Sequence, residues 1–340
     1  MKYGVLIPAY EPDGRLTELA EALLKLRVET VVVDDGSASG QEIFARLVEV
    51  GVPVLHHEVN RGKGRALKTG IAYMAQRGFD GLVTADADGQ HTPADILKVA
   101  QQMEQSPGQL VLGVRDIAQM VPRSKAGNTL TRLLFRLLYR LDIQDTQTGL
   151  RGIPLAGGAL SALLELRGER YEYEMEMLIR ARAIWPAGIC QIPIETLYYD
   201  DNAASHFRPL QDGVKIYTVL FHNLSGFMVS SLCAFGLDYL LFNLFYYRLG
   251  GRTVPATVAA RLFSGTFNFT VNKYLVFTQR GERYTLWNYV KLAVVILLLN
   301  SAMMYLLVDL LHLPAFFCKL LVEGCLYTVS FLLQNRLAHT

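Results

Sequence analysis

The residues with the clearest chemical potential are two aspartates in the run Leu82-Val83-Thr84-Ala85-Asp86-Ala87-Asp88-Gly89-Gln90-His91. A β-strand-like stretch runs straight into Asp86 and Asp88, and a spacing of two puts both acids on one side of an extended backbone. Hard divalent cations such as Mg²⁺ or Mn²⁺ take carboxylate oxygens and fill the rest of their shell from phosphate and water. The pair therefore reads as a metal–diphosphate clamp, although an acidic turn ahead of a helix has the same spacing. A second pair, Asp34-Asp35, ends Val31-Val32-Val33 and precedes Gly36-Ser37. Its carboxylates can accept hydrogen bonds from ribose hydroxyls or base N–H groups, or simply form a solvated turn. In Asn60-Arg61-Gly62-Lys63-Gly64-Arg65 two glycines allow close backbone approach and the cations can meet phosphate, as in a cradle or an ordinary basic loop.

The elements that must position these residues alternate. Strands are predicted at Val5–Ile7, Thr30–Val33, Pro53–His56, Leu82–Thr84 and Leu110–Leu112, separated by helical patterns. Leu16, Leu19, Ala20, Leu23 and Leu24 follow the spacing of an amphipathic helix, completing a βαβ unit. Thr92-Pro93-Ala94-Asp95 reads as N-cap, N1 proline and first-turn acid, with Ile96, Val99, Ala100 and Met103 as the buried stripe. Such alternation predicts an α/β fold with a mostly parallel central sheet, whose C-terminal edge carries loop 86–91.

Composition changes after about Asp212, and Leu, Phe, Val, Ala and Tyr dominate from Ile216 to Leu337. Tyr217, Leu220, Phe221 and Leu224 form a stripe suited to the membrane surface. Four transmembrane helices are predicted at about 226–247, 254–276, 287–309 and 315–336, each long enough for a ~30 Å hydrocarbon core. The expected division is 1–207 for the α/β domain, 208–225 for an interfacial linker and 226–340 for an all-α membrane domain. Lys273, Arg280, Arg283 and Lys291 make the second connection cytosolic, against a weaker contrary signal from Arg248 and Arg252. The run Val5-Leu6-Ile7 stops at Pro8, too short for a signal peptide, so the catalytic domain and both termini are expected in the cytosol. A net charge of +2, with no basic run interleaved with aromatics, argues against a nucleic-acid partner. Cys190, Cys233, Cys318 and Cys325 show no CxxC spacing, and His56, His57 and His91 lack zinc-ligand spacing.

The blocks occur in an order that carries a resemblance. Ile7-Pro8-Ala9-Tyr10-Glu11, Val33-Asp34-Asp35-Gly36-Ser37, Asn60-Arg61-Gly62-Lys63-Gly64, Asp86-Ala87-Asp88-Gly89-Gln90, Gly113-Val114-Arg115 and Asp145-Thr146-Gln147-Thr148-Gly149-Leu150-Arg151 resemble family 2 glycosyltransferases, within them the dolichyl- or polyprenyl-phosphate sugar synthases. The tail, from Ala260-Arg261-Leu262-Phe263-Ser264 through Asn268-Phe269, Asn272-Lys273 and Val276-Phe277, resembles the GtrA-like four-helix membrane domain. The resemblance implies a GT-A, Rossmann-like fold in which Pro8, Tyr10, Glu11, Val33, Asp34, Asp35, Lys63, Asp86 and Ala87 hold the nucleotide sugar. It implies that Asp88 and Gln90 ligate Mg²⁺ or Mn²⁺, that Arg115 meets the phosphates, and that Arg123 and Arg208 meet a lipid phosphate. Where the family often reads Pro-x-Tyr-Asn-Glu, this chain lacks the Asn, which puts Glu11's role in question.

The implied reaction is non-processive, inverting transfer of a hexose from UDP-glucose or GDP-mannose to undecaprenyl or dolichyl phosphate, at a bacterial inner membrane. The acceptor phosphate is already ionised, so no general base is assigned. A processive synthase would carry a QxxRW motif, which is absent; a lipid-linked-sugar transporter with a degenerate transferase domain is opposed by the intact Asp86, Asp88 and Arg115. Glu172, Glu174 and Glu176 alternate with aromatics and Met, in keeping with a structural role, while the resemblance puts them beneath the acceptor site. Asp238, Arg261 and Glu323 fall within predicted spans and are expected to pair between helices. A homo-oligomer stays open.

Overall fold

The computed structural model describes residues 2–118, 120, 122–139, 141–195, 211–248, 250, 252–271 and 286–338. It divides into two compact units, Met1–Leu220 and Phe221–Thr340.

The first unit is built on a seven-stranded sheet: β1 (Tyr3–Ala9), β2 (Thr30–Asp34), β3 (Val54–His56), β4 (Gly81–Thr84), β5 (Leu110–Val114), β6 (Arg151–Pro154) and β7 (Ile189–Pro193). The spatial order is β3-β2-β1-β4-β6-β5-β7. Only β6 runs antiparallel to its neighbours. The first five strands match the predicted ones to within two residues at either end; β6 and β7 are additions. Both lack the uninterrupted β-branched run of β2: β6 holds Arg151, Gly152 and Pro154, and β7 is only partly buried.

Residues of β1 and β2 alternate between two cores. Leu6, Val31 and Val33 pack with helices α3 (Lys63–Gln76), α6 (Ala159–Leu164) and α7 (Glu172–Ile184). Val5, Ile7 and Val32 pack with α1 (Gly14–Lys25), α2 (Gln41–Glu49) and α4 (Pro93–Gln105). With both faces covered, strands read as apolar runs rather than as alternation. In α1 the stripe closes at Leu23; Leu24 is exposed. Thr92 caps α4, accepting from Asp95 N. Helix α5 (Pro122–Leu134) leads into a π-helical turn at Phe135–Tyr139.

Helix α8 (Gln211–Arg248) is continuous across 38 residues, so the expected linker and first span form one element. Ile216 and Leu220 are buried in the first unit's core, and the Tyr139 hydroxyl donates to Leu220 O at 2.7 Å. That part of the apolar stripe is covered by protein rather than by a membrane surface.

The second unit contains the rest of α8, α9 (Thr253–Val271), α10 (Leu286–Met304), a π-helical turn at Tyr305–Leu310, and α11 (Ala315–Ala338). Phe242, Ala260, Ile296 and Val322 contribute to its core. Among the described residues two stretches are long and apolar enough to cross a membrane, Val229–Arg248 and Ala293–Leu310. The expected Arg261–Glu323 pair is present, but as part of a closed ring that includes Lys319. Lys319 Nζ lies 2.7 Å from Asp238 Oδ2 and 2.8 Å from Glu323 Oε1, while Arg261 reaches Asp238 at 3.6 Å and Glu323 at 2.5 Å. Two acids and two bases cancel in a site where Asp238 and Lys319 have no exposed surface. Asn300 on α10 donates to Glu323 as well.

Candidate active site

The site follows from the strand order. The chain leaves β1 toward β2 on one side and leaves β4 toward α4 on the other, so the crevice between the C-terminal ends of β1 and β4 is a topological switch point. Ligands of open α/β sheets bind in such crevices. A cleft of about 180 Å³ lies there, lined by Pro8, Ala9, Tyr10, Glu11 and Pro12 after β1 and by Asp86, Ala87 and Asp88 after β4, with Asp35, Gly62, Lys63, Arg170 and Tyr171 among the other walls.

Asp86 is the hub. Lys63, in the first turn of α3, places Nζ 2.6 Å from Asp86 Oδ1 and 3.0 Å from a carboxylate oxygen of Glu174. His91 Nε2 stands 3.5 Å from Asp86 Oδ2. Burial would push the Asp86 carboxyl up, but the Lys63 ammonium and His91 outweigh it and hold Asp86 well below the usual carboxylate range. Burial would likewise pull Lys63 down, and its two acids hold it above its ordinary value instead. Asp88 differs: burial and the Asp86 charge both push its carboxyl up, against a weaker stabilisation from the Gln90 backbone N–H, which donates to Asp88 Oδ1 at 3.1 Å. Gly149 backs Asp86 so tightly that a Cβ there would lie 2.1 Å from Asp86 Oδ2.

The Asp34–Asp35 pair is turned largely inward. Asp34 Oδ1 accepts from Ser37 N, and its Oδ2 faces His56 Nδ1 at 3.0 Å. Asp35 accepts from Arg61 N and Gly62 N at 3.0 and 2.7 Å and meets His57 Nδ1 at 2.8 Å. Asp35 thus fixes the glycine loop that delivers Lys63; it reaches the cleft wall, whereas Asp34 is not among the lining residues. Gly36 takes φ +73° with the Val59–Asn60 backbone against it, which leaves no room for a side chain. Val33 is buried in the core and is not among the lining residues. Glu11 adopts φ +48°, unusual for a residue with a side chain, and its carboxylate accepts from Ala38 N at 2.7 Å and Ser39 N at 3.0 Å. It holds the loop after β2 while lining the cleft.

Arg115, just beyond β5, is held on Asp145 by Nε at 2.7 Å and Nη2 at 3.1 Å and is not among the lining residues. Arg123 lies in the first turn of α5, with its side chain outside the described residues; Arg208 lies outside them altogether. Two participants were not assigned to the site from the sequence, His91 beside Asp86 and Arg170 on the cleft wall, and Glu174, read as structural or beneath the acceptor site, is found on Lys63. The alternating acids of Glu172–Met177 were a signal for Glu174. Glu172 and Glu176 turn back to accept backbone N–H groups of 167–170, and Glu174 faces Lys63.

Among the described residues no group of three or more His, Cys, Asp or Glu is placed to hold a metal ion. The donor set still fits one in part. Asp88 has an oxygen-rich, charge-repelled carboxylate beside Asp86, and the buried His91 ring makes no hydrogen bond among the described residues. Two carboxylates are too few to hold a hard cation alone; a bound diphosphate would complete the shell.

A mostly parallel seven-stranded sheet with an acidic, lysine-bearing crevice at its switch point is the frame of a GT-A glycosyltransferase. Residues 4–162 match the model of glycosyl transferase family 2, and residues 226–339 match that of the GtrA/DPMS transmembrane domain. A UDP-N-acetylglucosamine–dolichyl-phosphate N-acetylglucosaminyltransferase of Methanococcus voltae is 32% identical over 222 residues, 59% of this chain and 87% of that one. An undecaprenyl-phosphate mannosyltransferase of Micrococcus luteus is 28% identical over 57% of this chain and 83% of its own length. Glucosyl-3-phosphoglycerate synthase of Mycobacterium tuberculosis, solved with Mn²⁺ and UDP, shares the fold at a TM-score of 0.51 and 21% identity, covering 65% of this chain and 79% of that one. The chain belongs to the family 2 glycosyltransferases and is a membrane protein with a GtrA/DPMS transmembrane domain.

Proposed function

We infer that the protein transfers one hexose from a nucleotide sugar, UDP-glucose or GDP-mannose, to a polyprenyl phosphate such as undecaprenyl or dolichyl phosphate, with inversion at the anomeric carbon. The observation that carries this reading is the convergence of Asp86, Asp88 and Lys63 at the β1/β4 crevice in a chain that also has a GtrA/DPMS domain. Two relatives that span most of their own length against it act, by name, on dolichyl and undecaprenyl phosphate.

The donor's diphosphate leaves as a polyanion, so the main demand is to stabilise developing negative charge. Asp88 and Gln90, with Asp86 beside them near the nucleotide, would hold Mg²⁺ or Mn²⁺, which supplies Lewis-acid stabilisation when bound. Lys63 contributes a fixed positive charge and keeps Asp86 ionised. Arg115 is assigned to the donor phosphates, and Arg123 and Arg208 to the lipid phosphate. An ionised phosphate attacks without a general base, and in-line displacement inverts the centre. The catalytic unit and both termini are assigned to the cytosol and the chain, with four spans, to a bacterial inner membrane.

The deciding assay is incorporation of radiolabelled sugar into an organic-extractable product in the presence of Mn²⁺. Asp88→Ala is expected to abolish metal-dependent transfer with an unchanged melting temperature; wild-type-like transfer in that variant would sink the metal assignment. The donor is identified by thermal-shift screening of UDP- and GDP-sugars, since a ligand binding only the native state raises stability by mass action.

A further inference from the structure

The loop 167–170 is built more firmly than a connection requires. Glu176 Oε2 accepts from Arg167 N and Gly168 N at 2.8 and 3.0 Å, and Glu172 Oε1 accepts from Glu169 N and Arg170 N at 3.2 and 3.3 Å. Two buried acids at the start of α7 thereby fix the backbone from which Arg170 departs. The Arg170 side chain then crosses the glycine loop where Gly62 has no Cβ; one added there would lie 2.5 Å from Arg170 Cγ. Arg170 also lines the cleft, as do Asn60, Lys63 and Tyr171. Its Nε donates to Asp212 Oδ1 at 3.1 Å, and its Nη1 donates to Asn60 Oδ1 at 3.3 Å. Asp212, in the first turn of α8, has only 1% of its surface exposed, while the Arg170 side chain keeps 25%.

The other cations on the wall are committed more fully: Arg15 is forked onto Asp13, and Lys63 is shared by two acids. Arg170 gives one N–H to Asp212 and one to Asn60, and its three other donors make no hydrogen bond among the described residues, which leaves a planar fork suited to phosphate oxygens.

We propose that Arg170 is a binding residue for the diphosphate of the nucleotide donor, and that Asp212 is the positioning residue that aims it. The proposal rests on the crevice being the donor site. Asp212 restrains the guanidinium from behind, so that its forward edge meets the ligand without first losing rotamer freedom. Glu172, Glu176 and Gly62 serve the same end through the backbone.

The test uses the full chain in detergent, titrated calorimetrically with UDP and GDP, each with Mn²⁺, and separately with uridine and guanosine. Arg170→Ala is expected to weaken the preferred diphosphate about tenfold or more, the effect of one lost charged hydrogen bond, and to leave nucleoside binding unchanged. Arg170→Lys keeps the charge but not the fork; it is expected to fall between the two, and serves if the alanine variant does not fold. Asp212→Asn is expected to weaken the diphosphate by a smaller factor, and to add nothing once Arg170 is alanine. Equal diphosphate affinity in wild type and Arg170→Ala, or equal weakening of nucleoside and diphosphate, would overturn the proposal. A wild-type protein that binds neither diphosphate would instead overturn the donor reading of the crevice.

Discussion

Gly149 leaves no room for a methyl group behind Asp86. Gly149→Ala is expected to displace Asp86 from Lys63 and to lower kcat/KM by about a hundredfold, the usual effect of an ångström-scale misplacement. Melting of the same variant should change little by comparison, which separates a displaced acid from a collapsed fold. The charge pattern around that acid has a second outcome. With one oxygen of Asp86 on Lys63 and only Asp88 left beside it, nucleotide-free protein is expected to bind Mn²⁺ markedly more weakly than protein loaded with UDP, as read by electron paramagnetic resonance. The acid pairs and Lys63 were legible in the sequence because local spacing and flanking strands announce them. Arg170 and the contact of Glu174 with Lys63 were not, because they join residues over 100 positions apart that only the fold brings together. Glu11 was legible in type but not in use. It stands where the family often has Asn, at a positive φ that Asn tolerates better, and its longer side chain ties down the loop after β2.

At the scale of elements, the glycine loop before α3 hangs on one carboxylate. Asp35→Ala is expected to leave two backbone N–H groups unpaired and to cost about 3 kcal/mol of stability, measured by chemical denaturation of the first unit's fluorescence. Asp35→Asn should cost less, since it retains one acceptor oxygen. The βαβ pattern through β5 was readable because buried parallel strands leave dense apolar runs bounded by turn residues. Strand β6 escaped because Arg151-Gly152-Ile153-Pro154 carries a buried arginine; that side chain bonds Thr148 O and Glu174 O, so it is satisfied by partners no local pattern reveals. Helix α8 was read as two pieces because composition changes along it, yet nothing in Gln211–Arg248 breaks a helix: it contains no proline, and Gly213, Gly226 and Gly236 are spread across it.

For the molecule as a whole, the two units obey different solvents. In the first, charged groups sit at the crevice and the apolar faces cover the sheet. In the second, Val294, Leu298 and Leu306 on α10 and its π-helical continuation point outward while Lys319 and Asp238 are enclosed, as expected of helices whose surroundings are hydrocarbon. Lys319→Met removes one member of the neutral ring and leaves Asp238 and Glu323 sharing Arg261. It is expected to destabilise the second unit by roughly 3–5 kcal/mol, the range for breaking a buried ion pair, seen as a lower melting temperature in detergent. The double replacement of Lys319 and Glu323 by Met and Leu restores neutrality and should recover much of that loss.

That ring also bears on how the chain is made. Asp238 leaves the ribosome on α8 long before Arg261 on α9, and longer still before Lys319 and Glu323 on α11. A lone carboxylate or guanidinium at the centre of a span costs about 2.5–3.5 kcal/mol on insertion scales. Until the last helix arrives, Asp238 is opposed only by Arg261 at 3.6 Å, and the closer partners of both, Lys319 at 2.7 Å from Asp238 and Glu323 at 2.5 Å from Arg261, come with α11. Chains truncated before Ala315 are expected to insert poorly and to be cleared by membrane proteases, which a pulse-chase of the truncated and full-length proteins would register.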